Sequence, residues 1–303
     1  MTDSIQPPAP AAFIGLGVMG AAMAANLAKA GYALAVNNRS RGKAAALEAS
    51  GARWAATPAE AARGAAFVAL CLPDTPDVEA VLFGPDGVAR GVAPGTVVVD
   101  FSTIAAAAAA GFAARLAAET GAILLDSPVS GGPKGALEGT LTCMVGGDAE
   151  AFARAEPCFR AMGRTLTHLG PAGSGQVCKS ANQLIVATTM LAVAEALALG
   201  AKAGLDGEKM RQALRGGSAA SFVMENHATR MLAGQFAPGF RAELMRKDLR
   251  LSATAMRDHA VFAPATALTA QMLEALVASG RGGLDSASVG ALVAELSGLK
   301  PGA

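Results

Sequence analysis

The chain has 303 residues, 52% apolar and only 16% charged, with a formal net charge of +1 and a mean hydropathy of +0.38. That balance excludes a disordered chain and leaves no basic field to hold a phosphate backbone, so nucleic acid is not an expected partner. The length exceeds what one core fills, which predicts two domains with a cleft between them.

Residues 1–10, MTDSIQPPAP, carry an acid and three prolines instead of a basic leader, and read as a flexible tail. Cys71, Cys143, Cys158 and Cys178 occur singly, without zinc or redox spacing, so reduced structural thiols and a cytoplasmic protein are expected. Strands are predicted at 11–16, 32–37, 66–72, 96–101, 122–128 and 141–147, separated by Ala-rich helical stretches. Their apolar runs are nearly continuous, the pattern of strands covered by helices on both faces. The prediction is a doubly wound, mostly parallel sheet in a dinucleotide-binding domain over 11–172.

Strand signals then stop, and 173–303 reads as an all-helical domain for substrate and dimerisation. Its first helix runs from Gln176 to about Ala203, long enough to join two domains. Between Lys179 and Glu195 it carries 15 residues without charge, short of the roughly 18 a membrane span needs, so it reads as a buried helix with no membrane partner. Further helices are expected at 207–215, 221–233, 241–258, 264–279 and 286–297. So apolar a helical half also predicts a homo-oligomer, a dimer or a tetramer.

Gly15, Gly17 and Gly20, with Leu16, Val18 and Met19 between them, follow the first strand and open a helix. In that context the glycines admit a pyrophosphate to the backbone, and the helix end offers unpaired N–H donors. At the end of the second strand, where an acid would hold the ribose hydroxyls of NAD, stand Asn38, Arg39 and Ser40. Without an acid to repel a 2'-phosphate, and with an arginine to pair with it, NADP(H) is the expected cofactor, with NAD(H) possible. The competing reading is a solvated Arg39 with NAD bound. Leu72 and Pro73 in CLPD, and Thr103 in DFSTI, leave strand ends where they could line the nicotinamide side.

Lys179 lies early on the long helix, with Asn182 and Gln183 at i+3 and i+4. Taken alone, this face could hold a small oxygenated ligand or could be solvated, the lysine reaching water along its stem. Ser130, Gly131 and Gly132 form a loop after a strand, suited to gripping a carboxylate through N–H and hydroxyl donors. Lys247 and Asp248 sit on a helical stretch beside Phe240. His168, His227 and His259 lie outside these clusters, and no His/Cys/acid group has metal-ligand spacing.

G-L-G-x-M-G-x-x-M-A-x-N-L at 15–27, D-x-P-V-S-G-G at 126–132, G-x-G-x-x-x-K-x-x-N at 173–182 and K-D-L at 247–249 together resemble the β-hydroxyacid dehydrogenase family, in order and over almost the whole chain. The resemblance implies an N-terminal Rossmann domain, an all-helical C-terminal domain and Lys179 as catalytic lysine. Within the family, CKSANQLIV, LRGGSAAS and GGLDSASV are similar to the tartronate semialdehyde reductase branch, and Asn182 followed by Gln183 suits it better than 3-hydroxyisobutyrate dehydrogenases. The implied reaction is reduction of a small carboxylated aldehyde to a hydroxy acid. Lys179 would supply the proton and Asn182 would orient substrate or lysine. Ser130, Gly131 and Gly132, with Gln183 and Asp248, would contact substrate, and Phe240 and Lys247 would close the cleft against cofactor. Alternatives are 3-hydroxyisobutyrate dehydrogenase, glyoxylate or succinic semialdehyde reductase, and a non-catalytic dinucleotide-binding scaffold.

Overall fold

The structure is a computed structural model that describes residues 4–300 and 302. The chain divides into two compact units, Met1–Lys179 and Ser180–Ala303. The sequence places this break at 172/173, where strand signals end. It falls further along because the first turns of the helix Ser174–Lys202 are hydrogen-bonded to residues of the first unit.

Among the described residues the first unit holds nine strands: β1 (Pro10–Ile14), β2 (Ala33–Asn37), β3 (Arg53–Trp54), β4 (Phe67–Leu70), β5 (Val97–Asp100), β6 (Ile123–Asp126), β7 (Val129–Ser130), β8 (Leu141–Gly146) and β9 (Gly163–Gly170). They form one sheet in the order β3-β2-β1-β4-β5-β6-β8-β7, with β9 also on β8. Strands β1 to β6 pair in parallel, β8 runs antiparallel to β6 and β7, and β9 is parallel to β8. The order reverses at β1, and this switch point is where open sheets take ligands at the carboxyl ends of their strands.

The continuous apolar runs are explained by two covered faces. On β1, Ala11 and Phe13 enter one core and Ala12 and Ile14 the other; on β4, Phe67 and Ala69 oppose Val68 and Leu70. The helix Val18–Lys29 contributes Met23, Ala24 and Leu27, a stripe at helical spacing, to the first of these cores. That core centres on Phe159, fully buried, with Phe67, Phe101 and Phe152 edge-on at 5.5–6.5 Å between ring centroids.

The second unit is helical among its described residues apart from one isolated bridge, Arg241 to Asp285. Ala187, Met190, Leu191, Ala194 and Leu197 of the long helix pack there with Met231, Met245, Leu249, Leu273 and Leu276. The expected buried helix is buried along part of its surface. One stripe is buried, whereas Ile185 and Leu199 are 60% and 70% exposed. Helices 207–215 and 241–258 occur as Gly207–Arg215 and Ala242–Asp258. The other three occur as continuous helical runs whose winding changes along their length, with wide turns at Val223–His227 and Val277–Arg281 and a tight turn at Ser286–Ser288.

The flexible tail is also corrected over its described part. Ile5 is buried, its N–H donates to the Arg154 carbonyl at 2.8 Å, and its own carbonyl accepts from the Tyr32 hydroxyl at 3.0 Å. Pro10 already belongs to β1. Strand β9 has no counterpart in the predicted elements, because its alternating residues include exposed Arg164 and carry little apolar signal.

Because Phe159 joins three other rings, Phe159→Ala should cost about 3–5 kcal/mol of unfolding free energy. Urea denaturation would read this as a lowered midpoint at unchanged slope. An unchanged midpoint would show that the ring cluster does not hold this unit together.

Candidate active site

The glycine loop is built by close approach. Gly15 has φ +97°, and a Cβ there would overlap the Cys71 carbonyl oxygen; a Cβ at Gly20 would overlap the Gly15 carbonyl oxygen. Gly17 and Val18 are exposed at the start of the helix, and nothing lies within 4 Å of where a Gly17 Cβ would be. A turn closed over its own backbone with an open face at a helix N-terminus fits a dinucleotide pyrophosphate. Leu16 and Gly20 are buried and Met19 is half-buried, so these side positions anchor the loop.

Asn38 is brought to this loop directly, its Oδ1 accepting from the Leu16 N–H at 2.9 Å while its Nδ2 donates to the Ser40 carbonyl. Arg39 and Ser40 are exposed beyond the end of β2. Leu72 and Thr103 come together through Ser102, whose hydroxyl accepts from the Leu72 N–H at 2.8 Å. Gln176 holds the other side of that loop. Its Nε2 donates to the Ser102 carbonyl at 2.8 Å and its Oε1 accepts from the Ile104 N–H at 3.1 Å. Pro73 is exposed beside Leu72.

Lys179 is only 7% exposed, so it is not a solvated helix-end lysine, and its Nζ donates to the Val129 carbonyl at 2.8 Å. Val129 precedes Ser130, half-buried, and Gly131 and Gly132, both exposed with φ of +133° and +63°. The ammonium and the Ser-Gly-Gly loop are therefore tied to one another. The same segment begins with Asp126, whose buried carboxylate accepts from the Gly173 and Gln176 N–H groups at 2.7 and 2.9 Å, with Gly175 contributing a further amide. Burial pushes the Asp126 carboxyl above its usual range, partly offset by these amides.

Asn182, Gln183, Phe240, Lys247 and Asp248 belong to the second unit. Four of them form one chain: Asn182 Nδ2 donates to Gln183 Oε1 at 2.7 Å, Gln183 Nε2 donates to Asp248 Oδ2 at 2.7 Å, and Lys247 Nζ lies 3.2 Å from Asp248 Oδ1. Phe240 is outside that chain. Its N–H and that of Gly239 donate to Asp285 Oδ2, which also pairs with Arg230 at 2.8 Å. Burial lowers the His227 pKa. Among the described residues no cluster of three or more His, Cys, Asp or Glu side chains is placed to hold a metal.

Three residues that organise these groups have no assignment in the sequence reading: Asp126, Gln176 and Asp285. Each leaves a faint mark. Asp126 is an acid closing an apolar strand, Gln176 precedes Lys179 by three positions on one helix, and Asp285 stands in GGLDSASV.

Comparison with known proteins gives the family of the chain. The profile for the NAD binding domain of 6-phosphogluconate dehydrogenase matches residues 11–170, and that for the NAD-binding region of NADP-dependent 3-hydroxyisobutyrate dehydrogenase matches 173–293. The chain is 43% identical to 2-hydroxy-3-oxopropionate reductase of Escherichia coli over 91% of its own length and 94% of that protein's. It is 42% identical to NAD-dependent L-serine dehydrogenase of Pseudomonas aeruginosa over 89% and 92% of the two chains. The solved structure of 3-hydroxyisobutyrate dehydrogenase from Mycobacterium tuberculosis with L-serine superposes at a TM-score of 0.86, with 32% identity over 93% and 98% of the chains. These relatives are dehydrogenases and reductases, which sets aside the non-catalytic scaffold: the chain belongs to the 3-hydroxyisobutyrate dehydrogenase-like family of NAD(P)-dependent β-hydroxyacid dehydrogenases.

Proposed function

We propose that the chain reduces a small carboxylated aldehyde to a hydroxy acid, with 2-hydroxy-3-oxopropionate as substrate, NADPH as preferred reductant and Lys179 as proton donor. The observation that carries this reading is the buried Lys179 ammonium, bonded to the segment that presents Ser130, Gly131 and Gly132. The bound nicotinamide supplies the hydride. As it reaches the aldehyde carbon, negative charge grows on the carbonyl oxygen, and Lys179 Nζ donates a hydrogen bond there and then the proton. In the reverse direction the neutral amine accepts the alcohol proton. Ser130 and the amides of Gly131 and Gly132 grip the substrate carboxylate.

In the second unit Asn182 orients the substrate, Gln183, Phe240 and Asp248 contact it, and Lys247 serves the cofactor. The hydrogen-bonded order of Asn182, Gln183, Asp248 and Lys247 supports these roles, since a side chain already held loses little freedom on binding. Exposed Ile185, Leu199, Phe262 and Leu268 support a homodimer or homotetramer. The reading places that oligomer in the cytoplasm.

A second reading is oxidation of L-serine or 3-hydroxyisobutyrate, favoured by the 42% identity to the P. aeruginosa L-serine dehydrogenase. Both readings use one reaction class and differ in the side group next to the carboxylate. NADPH absorbance with tartronate, methylmalonate and succinic semialdehydes and glyoxylate, and NAD(P)+ reduction with L-serine and 3-hydroxyisobutyrate, separates them. The highest kcat/KM is expected for tartronate semialdehyde, and a higher value for L-serine would replace it.

Lys179→Ala should keep NADPH binding, followed by fluorescence, while losing about 100- to 10,000-fold in turnover. Aldehyde reduction near the parent rate would remove Lys179 from the proton transfer. Asn38→Asp keeps an acceptor for the Leu16 N–H and adds a charge against a 2'-phosphate. It should move the kcat/KM ratio of NADPH to NADH by about 10- to 100-fold toward NADH. An unmoved ratio would mean that this strand end does not choose the cofactor.

A further inference from the structure

Lys179 can act only if its helix is held still, and a carboxylate from the sheet caps the start of that helix. The helix Ser174–Lys202 begins with backbone N–H groups that have no partner within the helix. Those of Gly173, Gly175 and Gln176 converge on the Asp126 carboxylate, at 2.7 Å for Gly173 and 2.9 Å for Gln176. No neighbouring residue in sequence supplies this cap; it comes from the end of β6.

The approach is tight enough to require glycine twice more. A Cβ at Gly175 would overlap the Met144 carbonyl oxygen and lie 2.8 Å from Asp126 Oδ2, and a Cβ at Gly146 would lie 2.5 Å from Asp126 Oδ1. Gly146 is the residue paired with Asp126 across the β6–β8 ladder. Strand, carboxylate and helix end are thus in contact without side chains between them.

Three residues after Asp126 in the same segment, the Val129 carbonyl accepts from Lys179 Nζ. Segment 126–132 therefore fixes both the start of the helix and the ammonium one turn into it. Gln176, whose N–H is on Asp126, also holds Ser102 and Ile104 on either side of Thr103. A shift of the helix start would displace the lysine and that loop together.

We propose that Asp126 is a positioning residue for the reaction: its carboxylate, by capping the helix, sets where Lys179 Nζ stands relative to the Ser130–Gly132 loop. The proposal rests on the assignment of Lys179 as proton donor. The Asp126 carboxylate is taken up by backbone amides at the helix start, so its effect would pass through Lys179.

A double-mutant cycle tests this, with NADPH and the best semialdehyde of the panel as the probes. Asp126→Asn keeps the shape but loses one acceptor oxygen and the charge; it should lower kcat by about 10- to 100-fold, as an ångström-scale misplacement does, with the NADPH dissociation constant changed less than about twofold. In a Lys179→Ala background the same substitution should change kcat by less than about twofold, because the group it positions is gone. Equal losses in both backgrounds overturn the proposal and leave Asp126 a stability residue. An unaltered kcat for Asp126→Asn also overturns it. If Lys179→Ala itself turns over near the parent rate, the lysine assignment fails, and the proposal with it. Should Asp126→Asn not fold, Asp126→Glu keeps the charge and displaces the oxygens by one methylene, and the same coupling to Lys179 decides.

Discussion

A carboxylate removed from water must be answered by donors, and at Asp126 the donors are the amides that the helix Ser174–Lys202 cannot use itself. Two groups that would each be costly to bury alone satisfy one another. The negative charge also lies at the positive end of the helix dipole, where it is favoured. This single arrangement joins the sheet to the element that carries Lys179. It depends on Gly146 and Gly175, where any side chain would separate strand from helix.

The pattern of an acid closing a strand recurs in the first unit. Asp100 ends β5 as Asp126 ends β6, the two are paired in the parallel ladder, and Asp100 Oδ1 accepts from the Ser102 N–H at 2.9 Å. Ser102 in turn receives Leu72 and, through its carbonyl, Gln176. The loops at the carboxyl ends of β4, β5 and β6 are thereby linked by hydrogen bonds between one strand end and the next. Loops that carry binding groups are usually the mobile part of such folds. Here each has a buried polar partner, which favours a site arranged before ligand arrives.

The six predicted strands lie within one or two residues of their observed ends because continuous apolar runs have no second interpretation in a two-sided sheet. The glycine loop was legible for a similar reason, since its spacing has meaning only between a strand and a helix. Strand β9 and the packed Ile5 were not. The first has only Leu166 and Leu169 as large apolar residues among paired polar ones, and the second is one apolar residue among prolines. Lys179, Ser130 and Lys247 could be singled out from sequence because a charged or hydroxyl group at a motif position invites a role. Asp126, Gln176 and Asp285 could not, because what they do is bond backbone amides and carbonyls up to 74 positions away, and pairings of that kind leave no local pattern.

The second unit follows the same rule with different residues. Asp248, 3% exposed, accepts from Gln183 and pairs with Lys247, while Asp285, also 3% exposed, gathers the amides of Gly239, Phe240 and Ala287 together with Arg230. In each case the buried acid fixes a neighbour that is more exposed than itself. A flexible lysine or phenylalanine costs entropy to order when ligand binds, and that cost is lowered if folding has already restrained the chain around it. Buried carboxylates suit this task because a charge in a dry setting tolerates few arrangements of donors, whereas an apolar contact tolerates many. The unit can therefore have an adaptable apolar core of methionines and leucines while the residues that would face a ligand remain in one arrangement.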